Sequence, residues 1–439
     1  MKKRLLYAAG MISLSFMLSA AGFCAEAPAD TITLERLYGM VRSNHPALEK
    51  EGLIDRKSEL SGRNLTFSWL PQFDLEGSGT FQSDVTSIDP ELPPAMAADR
   101  FQFPSPARDQ YRAELKVSQM IFDSGVTSAR RELLRRDIAI EHKQVESEYY
   151  AIQKAVNNHF FAILKLKKEK AISESITDEL RQQRGRVLSA KRHGAATGSA
   201  VNEIESRIIQ GEQRIISIET ELCSLYEAIG ELTGTEIDTS AVLLIPEYSP
   251  SLSSDNRSFR DRPDIQALEM RMKRIRTAEK LTFRENLPRI FGFATVGYGR
   301  PGLNMLSDEF DSYYMAGVTL SWNIFNWGRN RRERGILEVN RKILDKGRQS
   351  LIREISAELQ RAIRAIEKYV RILDKDRRIV ELRKKIASEK RSRFENGDIT
   401  ADDYISEMDR LEQARLNTEK DRIELQRARV KYLMIKGEL

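Results

Sequence analysis

The stretch LSWNIFNWGRNRRER, from Leu320 to Arg334, changes from a strand pattern to a charged helix pattern within a few residues. Its first half alternates apolar and polar side chains, which is typical of a β-strand. Asn326-Trp327-Gly328 follows, and arginines then open a long charged segment. The same junction occurs earlier, in VSQMIFDSGVTSARR from Val117 to Arg131. A junction that occurs twice indicates that the chain contains one unit written twice.

Matching segments in the two halves keep fixed distances along the sequence. HPALE from His45 matches RPDIQALE from Arg262, and LPQFDLEGSGTF matches LPRIFGFATVGY, both with an offset of 217 residues. From the junction onward the offset is 203, and this also relates Gly194 to Gly397. The 14 extra residues of the first copy fall between Phe81 and Tyr111, in a Pro-rich stretch that indicates a loop. The segment from junction to glycine therefore has a fixed length.

The repeats predict a helix, two strands and a helical hairpin in each half. Leu-Pro ends the first helix of each unit because proline disfavours helix in the residue before it. The predicted segments are a signal peptide at 1–25; a first repeat at 26–234, with helix 33–66, strands 71–83 and 110–121 and hairpin 124–233; a linker at 235–261; and a second repeat at 262–439, with helix 264–286, strands 288–299 and 312–323 and hairpin 328–437.

The predicted strands have one apolar face and one polar face. Phe73 and Leu75 alternate with Asp74 and Glu76, and the other strands follow the same period of two, although Phe291 and Phe293 break the pattern on the polar face. Each second strand leads into sixty-odd residues of helix, about 100 Å at ~1.5 Å per residue. Apolar residues in these helices step by threes and fours, which predicts coiled-coil seams: Val145, Tyr149, Ile152, Val156, Phe160 and Ile163, and Ile363, Ile366, Val370 and Leu373.

The N-terminus has the layout of a secretory signal peptide, with three basic residues before an apolar run. Cleavage after Ala21 or Ala25 and lipid attachment at Cys24 all remain open. The whole chain has a formal net charge of +6, and loss of the three signal cations leaves +3. Charged residues make up 31% of the chain with both signs interleaved, which favours solvated helix faces and gives no sign of the basic clustering that nucleic-acid binding would need.

Four strands of about ten residues suit a tilted membrane-spanning sheet but are too few to close a barrel. An open sheet edge in lipid leaves backbone groups unpaired at several kcal/mol each, so several chains must combine their strands. Three copies would supply twelve strands, an even number within the range known for barrels in outer-membrane lipid. Each junction is then the point where a strand leaves the membrane. Trp322 and Trp327 are suited to the aromatic girdle at that interface.

The order and spacing of these motifs resemble those of the TolC-like outer-membrane efflux proteins. The likeness rests on SQMIFDSG and SWNIFNWG, on RPDI at Arg262 to Ile265, on the Leu-Pro pairs and on the turns HGAAT and NGDIT. It implies an α+β membrane protein that forms a homotrimer. The trimer has a 12-stranded β-barrel, which is continuous with a periplasmic α-helical barrel. It further implies an exit channel in the cell outer membrane that extends into the periplasm and works with an adaptor (membrane fusion) protein and an inner-membrane transporter of an efflux or type I secretion system.

The resemblance assigns adaptor binding to the hairpin tips, through a Gly-x-x-Thr pattern that Gly194 with Thr197 and Gly397 with Thr400 both match. A structural interpretation applies to the same residues. Glycine ends the incoming helix in a left-handed conformation, and the threonine caps the outgoing one.

The resemblance also implies a periplasmic entrance narrowed by two aspartates, six and nine residues after the tip glycine. Asp403 matches the first position, but Ser406 occupies the second, which leaves Asp402 or Glu407 as replacements. Ala200 stands where the first repeat of the family has an acidic partner. Acids favoured by the dipole at a helix N-terminus explain Asp402 and Asp403 equally well.

No catalytic, metal or cofactor site is predicted, because the four histidines are dispersed and the glycines of GSG and GYG lie within strands. The alternative to a channel is a periplasmic coiled-coil adaptor or scaffold without a barrel. An adaptor should have one helical hairpin flanked by compact β domains, whereas this chain has two hairpins, each preceded by a strand pair. Drug, metal and protein export are not distinguished, because the wide duct does not select the cargo.

Overall fold

The computed structural model describes residues 31–86, 105–193, 197–253 and 256–439. The predicted signal peptide and the tip glycine Gly194 lie outside the described residues. In chain order the elements are β1 Thr31–Ile32, α1 Leu34–Asn44, α2 Pro46–Phe67, β2 Gln72–Phe81, β3 Asp109–Phe122, α3 Val126–Arg192, α4 Gly198–Thr233, β4 Val242–Leu243, a 3₁₀ helix Asn256–Asp261, α5 Pro263–Arg284, β5 Arg289–Arg300, β6 Asp311–Ser321, α6 Arg329–Glu395 and α7 Ala401–Lys436.

The strand-to-helix junctions have the same backbone geometry in both halves. Ser124 and Gly125 have φ values of 54° and 78°, and Trp327 and Gly328 have 54° and 72°. Two successive left-handed residues reverse the chain direction so that a helix can start at once. Asp123 stabilises the first junction by accepting hydrogen bonds from the backbone nitrogens of Gly125 (2.8 Å) and Thr127 (2.6 Å). The equal length of the junction motif in the two repeats therefore reflects one compact turn.

β2, β3, β5 and β6 form one antiparallel sheet in the order β2-β3-β5-β6, so β2 and β6 are its edges. The register pairs Leu75 with Leu115, Leu115 with Val296 and Val296 with Tyr314. Directly paired residues lie on the same face of a sheet, so the apolar residues of all four strands form one continuous surface. The exposed fractions of these side chains reach 81% at Leu75 and 80% at Tyr314.

The opposite face of the sheet is polar. Lys116 forms ion pairs with Glu76 and with Glu114 (3.1 Å), and the Tyr313 hydroxyl donates to Glu114 (2.5 Å). Phe293, which breaks the polar pattern, is paired with Gly317, so its ring lies over a position that has no side chain. Gly317 thus leaves room for the ring that interrupts the polar pattern.

The first helical segment departs from the prediction of a single helix over 33–66. It is divided into α1 and α2 at His45, whose backbone is extended with φ −78° and ψ 126°. Pro46 causes the break because it restricts the residue before it and has no N–H for the helix ladder. The His45 side chain then caps α2 by accepting a hydrogen bond from the Ala47 nitrogen at 3.1 Å.

The linker predicted at 235–261 contains structure of its own. Val242 and Leu243 of β4 pair in parallel with Thr31 and Ile32 of β1. Ala241 and Leu243 are buried in the same apolar cluster as Leu37. Strands of two residues carry too little pattern to be detected in a sequence, so these elements were missed.

The long helices α3 and α6 each have 67 residues and fold back as the 36-residue helices α4 and α7. Close to the sheet the helices follow one another in the order α2, α3, α5, α6, and away from it in the order α4, α3, α7, α6. α6 is therefore an edge along its whole length. Val370, predicted to lie in a packed seam, is 50% exposed because it faces this free side. None of the described helices is apolar enough over a sufficient length to cross a membrane.

Arg262 of the RPDI motif joins three parts of the chain near the middle of the helices. Its guanidinium pairs with Asp264 (2.7 Å), donates to the Tyr150 hydroxyl (3.0 Å) and lies 4.9 Å from the centroid of that ring. The same group donates to the carbonyl of Ile435 at 3.4 Å. Only 5% of Arg262 is exposed, so the motif fixes the start of α5 against α3 and α7.

We expect Arg262→Met to lower the stability of the helical region by about 2–3 kcal/mol, because it leaves a partly buried carboxylate and hydroxyl without their partner. Thermal unfolding followed by circular dichroism measures the effect. Arg364→Met is the matched control, since Arg364 is 77% exposed and, among the described residues, pairs only with Glu367 one turn away; it should change stability by less than about 0.5 kcal/mol. An equal loss in both variants would contradict the assigned role.

Candidate functional site: the hairpin tips and the membrane junctions

The ends of the two helical hairpins lie together and enclose a groove of 640 Å³. Thr197, Ser199, Gly397 and Thr400 are among the residues that line it. Three of the four predicted tip residues are thus brought to one place, and the fourth, Gly194, is outside the described residues. The groove could accept a helix or loop from a partner, because it is open and carries hydroxyl groups from both hairpins.

Both threonines cap the helices that follow them. Thr197 Oγ1 accepts a hydrogen bond from the Ala200 nitrogen (3.3 Å), and Thr400 Oγ1 accepts one from the Asp403 nitrogen (3.2 Å). Gly397 has φ +80°, a conformation that favours glycine. The structural interpretation of the turn therefore applies at every described tip residue, and an adaptor role would be additional to it.

Apolar packing supports the tip from below. Tyr404 is fully buried and stacks on Phe394 with ring centroids 5.4 Å apart and planes at 4°. Burial raises the pKa of Tyr404 to about 12, so this phenol stays neutral. Ile204 and Met408 lie in the same cluster, which joins α4 to α7 beneath the groove.

The three predicted entrance acids have different surroundings. Asp403 Oδ2 accepts hydrogen bonds from the Thr400 nitrogen (3.3 Å) and hydroxyl (2.8 Å), which completes a capping box. Glu407 is 1% exposed and pairs with Arg383 at 3.1 Å. Asp402 is exposed and has no hydrogen-bond or ion-pair partner in the described parts of the chain. Of the three, Asp402 has the carboxylate most available to a solute.

Ion pairs link the two hairpins to each other. Arg207 of α4 contacts Asp409 of α7 at 2.5 Å and Glu412 at 3.3 Å. Closer to the tip, Arg186 of α3 contacts Glu395 of α6 at 3.2 Å. Sequence patterns gave no signal for these contacts, since the partners are about two hundred residues apart. Separating the hairpins would require these pairs to break.

The capping box makes the tip sensitive to acid. Its hydrogen bonds from Thr400 lower the pKa of Asp403 below the ordinary value of 3.8. A lowered folded-state pKa stabilises the turn above the unfolded pKa, and this contribution is lost as the pH falls through the folded value. We expect the protection factors of the backbone amides in the first turn of α7, measured by hydrogen exchange, to fall below about pH 4. Asp403→Asn should remove most of this pH dependence, and a dependence that persists in the variant would contradict the assignment.

Two of the three tryptophans lie at the junction between β6 and α6. Trp322 is 52% exposed and donates from Nε1 to the Asn286 carbonyl at 3.2 Å. Trp327 is 80% exposed and makes an edge contact with Phe325, with centroids 5.0 Å apart. Exposed aromatic rings at the end of an apolar sheet are suited to the interface between lipid and water.

Comparison with known proteins agrees with this architecture. Residues 256–432 match the family model described as outer membrane efflux protein. No curated protein matches the chain. Among solved structures, CusC has a TM-score of 0.70 at 15% identity, covering 92% of this chain and 91% of its own. VceC of Vibrio cholerae has 0.67 at 14%, covering 92% and 96%, and the CmeC outer membrane channel of Campylobacter jejuni has 0.69 at 12%, covering 92% and 85%. At these identities the structures show a shared fold.

Proposed function

We propose that this chain, whose residues 256–432 match the family model of outer membrane efflux proteins, forms a trimeric exit channel fed by an inner-membrane pump through a periplasmic adaptor. As such a channel it lies in the outer membrane and extends into the periplasm. In this proposal the channel is a passive duct, and the pump drives its cargo through it. The substrate and the pump class remain outside this proposal.

The observation that carries the proposal is the exposed apolar face of an open four-stranded sheet. Leu75, Val296, Tyr314 and Val318 are each 59% to 81% exposed and lie on this one face. Such a surface is stable only when it is covered, and lipid covers it without any further protein. The opposite face, with its ion pairs around Lys116, is suited to a water-filled lumen.

The free edges explain why several copies are needed. β2 and β6 are edge strands, and α2 and α6 are edge helices below them. Because edges of a spanning sheet must be paired, β6 of one copy would pair with β2 of the next. Head-to-tail contacts of this type close into rings, and three copies give the twelve strands of a closed barrel.

The tips support the coupling to an adaptor. The groove between the two hairpins is 640 Å³ in volume and lined by both capping threonines. Photo-crosslinkers at Thr197 and Thr400 should capture an adaptor that is itself built around a helical hairpin. The same probe at Thr220, which is exposed on α4 well away from the tip, provides the control.

Two measurements test the channel. Purified protein should migrate as a heat-modifiable trimer and conduct ions when it is reconstituted into planar bilayers. With Cys223, the free cysteine of the described chain, replaced by Ser, a cysteine pair on β2 and β6 should link neighbouring copies into covalent trimers. A soluble monomer without conductance would refute the proposal and favour a periplasmic scaffold instead.

A further inference from the structure

A strongly basic groove lies between α5 and α6, immediately next to the sheet. Its volume is 990 Å³. α5 ends at Arg284, just before β5 begins at Arg289, and α6 begins at Arg329, just after β6 ends at Ser321. The groove therefore sits where the proposed barrel meets the periplasm. Six cationic side chains line it: Arg276, Lys280, Arg284, Arg331, Arg334 and Arg341.

The positive charge of this groove is not neutralised by the residues that the structure describes. Two acids also line it, Glu279 and Glu338, and Glu338 is already held by Lys342 outside the groove at 2.9 Å. Arg276, Lys280, Arg331 and Arg334 have no hydrogen-bond or ion-pair partner among the residues that the structure describes. An excess of four positive charges around one concave surface disfavours the empty state and attracts an anion.

The corresponding region of the first repeat behaves differently. Arg130 pairs with Glu285 at 2.9 Å, and Arg131 donates to Thr66 Oγ1 at 3.1 Å. Arg136 lies 3.7 Å from Glu132. These arginines at the start of α3 are thus used within the protein. At the start of α6, Arg329 pairs with Glu333 and Arg332 donates to the Trp327 carbonyl, whereas Arg331 and Arg334, which line the groove, have no such partner in the described chain. A general need for charge at a helix start does not account for this difference.

Chain handedness places the groove on the apolar side of the sheet. Gln82 directly follows β2 and continues its polar face. Its backbone N–H donates to the carbonyl of Arg108, the residue just before β3, at 2.8 Å. In a strand of L-residues that runs upward with the side chain toward the viewer, the backbone N–H of that residue points to the right. Seen from the polar face with the helices below the sheet, β3 therefore lies to the right of β2. α5 then lies to the left of α6. A right-handed helix that runs away from the sheet in this position turns Arg331 and Arg334 toward the apolar side.

We propose that this groove binds the phosphate headgroup of an anionic phospholipid in the periplasmic leaflet of the outer membrane. The inference rests on the proposed membrane placement of the sheet. Arginine and lysine side chains hold phosphate oxygens through charge-assisted hydrogen bonds, and basic pockets next to membrane spans attract anionic lipid. Phe283, 55% exposed in the same groove, would contact the glycerol and acyl region.

Quenching of tryptophan fluorescence by brominated lipid tests the proposal on the full-length protein in bilayers. In a Trp69→Phe background the remaining described tryptophans are Trp322, which bonds to Asn286 just after α5, and Trp327, whose carbonyl bonds to Arg332 at the start of α6. We expect brominated phosphatidylglycerol to be preferred over brominated phosphatidylcholine by about tenfold in low salt. The double variant Arg331→Gln/Arg334→Gln should lose most of this preference, because both residues are exposed and neither supports the fold.

The matched control is Arg364→Gln/Arg378→Gln, which removes the same charge from exposed positions farther along α6 and should keep the preference. Quenching by both lipids with equal strength, or a preference that survives in the groove variant, would overturn the site alone. A preference that excess inorganic phosphate abolishes at constant ionic strength would overturn the lipid in favour of a free anion. Absence of quenching by either lipid would overturn the membrane placement together with the site.

Discussion

Leu75→Arg should largely prevent assembly in the outer membrane. Leu75 lies near the middle of β2, is 81% exposed and belongs to the continuous apolar face. An arginine on the lipid face near the bilayer midplane costs about 2–4 kcal/mol per chain. In a trimer the cost is incurred three times, about 6–12 kcal/mol, which is comparable with the whole net stability of a folded protein. The measurement is the fraction of protein that becomes heat-modifiable trimer in isolated membranes.

Thr80→Arg is the control for this experiment. Thr80 lies on the same strand, is also exposed and is on the polar face, paired with the uncharged Gln110. An arginine there would project into the aqueous lumen, so we expect assembly close to wild type and, at most, a change in ion selectivity. If both substitutions reduced assembly equally, the sheet would have no distinct lipid face and the channel would have to be abandoned.

The two faces of the sheet could be predicted from the sequence because a period of two is a local property. The same property limits the register, since a shift by one residue would place Leu115 and Val296 on opposite faces. The exception at Phe293 could not be resolved in this way. Its accommodation depends on Gly317 in the next strand, and cross-strand neighbours become visible only when the pairing is known.

Other features depend on contacts between distant parts of the chain. The pairing of β1 with β4 joins residues more than two hundred positions apart through two residues on each side. The ion pair of Arg207 with Asp409 likewise has no local pattern. Glu407 is an example of the opposite kind, in which a sequence pattern suggested a site. Its spacing made it a candidate for the entrance, yet its carboxylate is buried against Arg383, a position that spacing alone cannot reveal.

The free side of α6 offers a second apolar surface, which another copy of the chain would cover in the proposed trimer. Ile336, Val339 and Ile343 are 59%, 53% and 61% exposed and follow the spacing of a coiled-coil seam. On the opposite edge of the same chain, Leu53, Leu60 and Phe67 of α2 are 70%, 46% and 56% exposed at intervals of seven. In a head-to-tail ring these two stripes face each other, so each contact would bury apolar area that the monomer leaves in water.

Val339→Glu should therefore abolish the trimer while the monomer still folds. The side chain is half exposed in the single chain, so a carboxylate there is harmless until a neighbour covers it. Burying that unpaired charge costs about 3–5 kcal/mol at each of three contacts. Asn340→Glu introduces the same charge at the next position, off the stripe, and should leave the trimer intact. Native mass spectrometry in detergent distinguishes the two variants, and a Val339→Glu trimer as stable as wild type would show that α6 does not form the contact between copies.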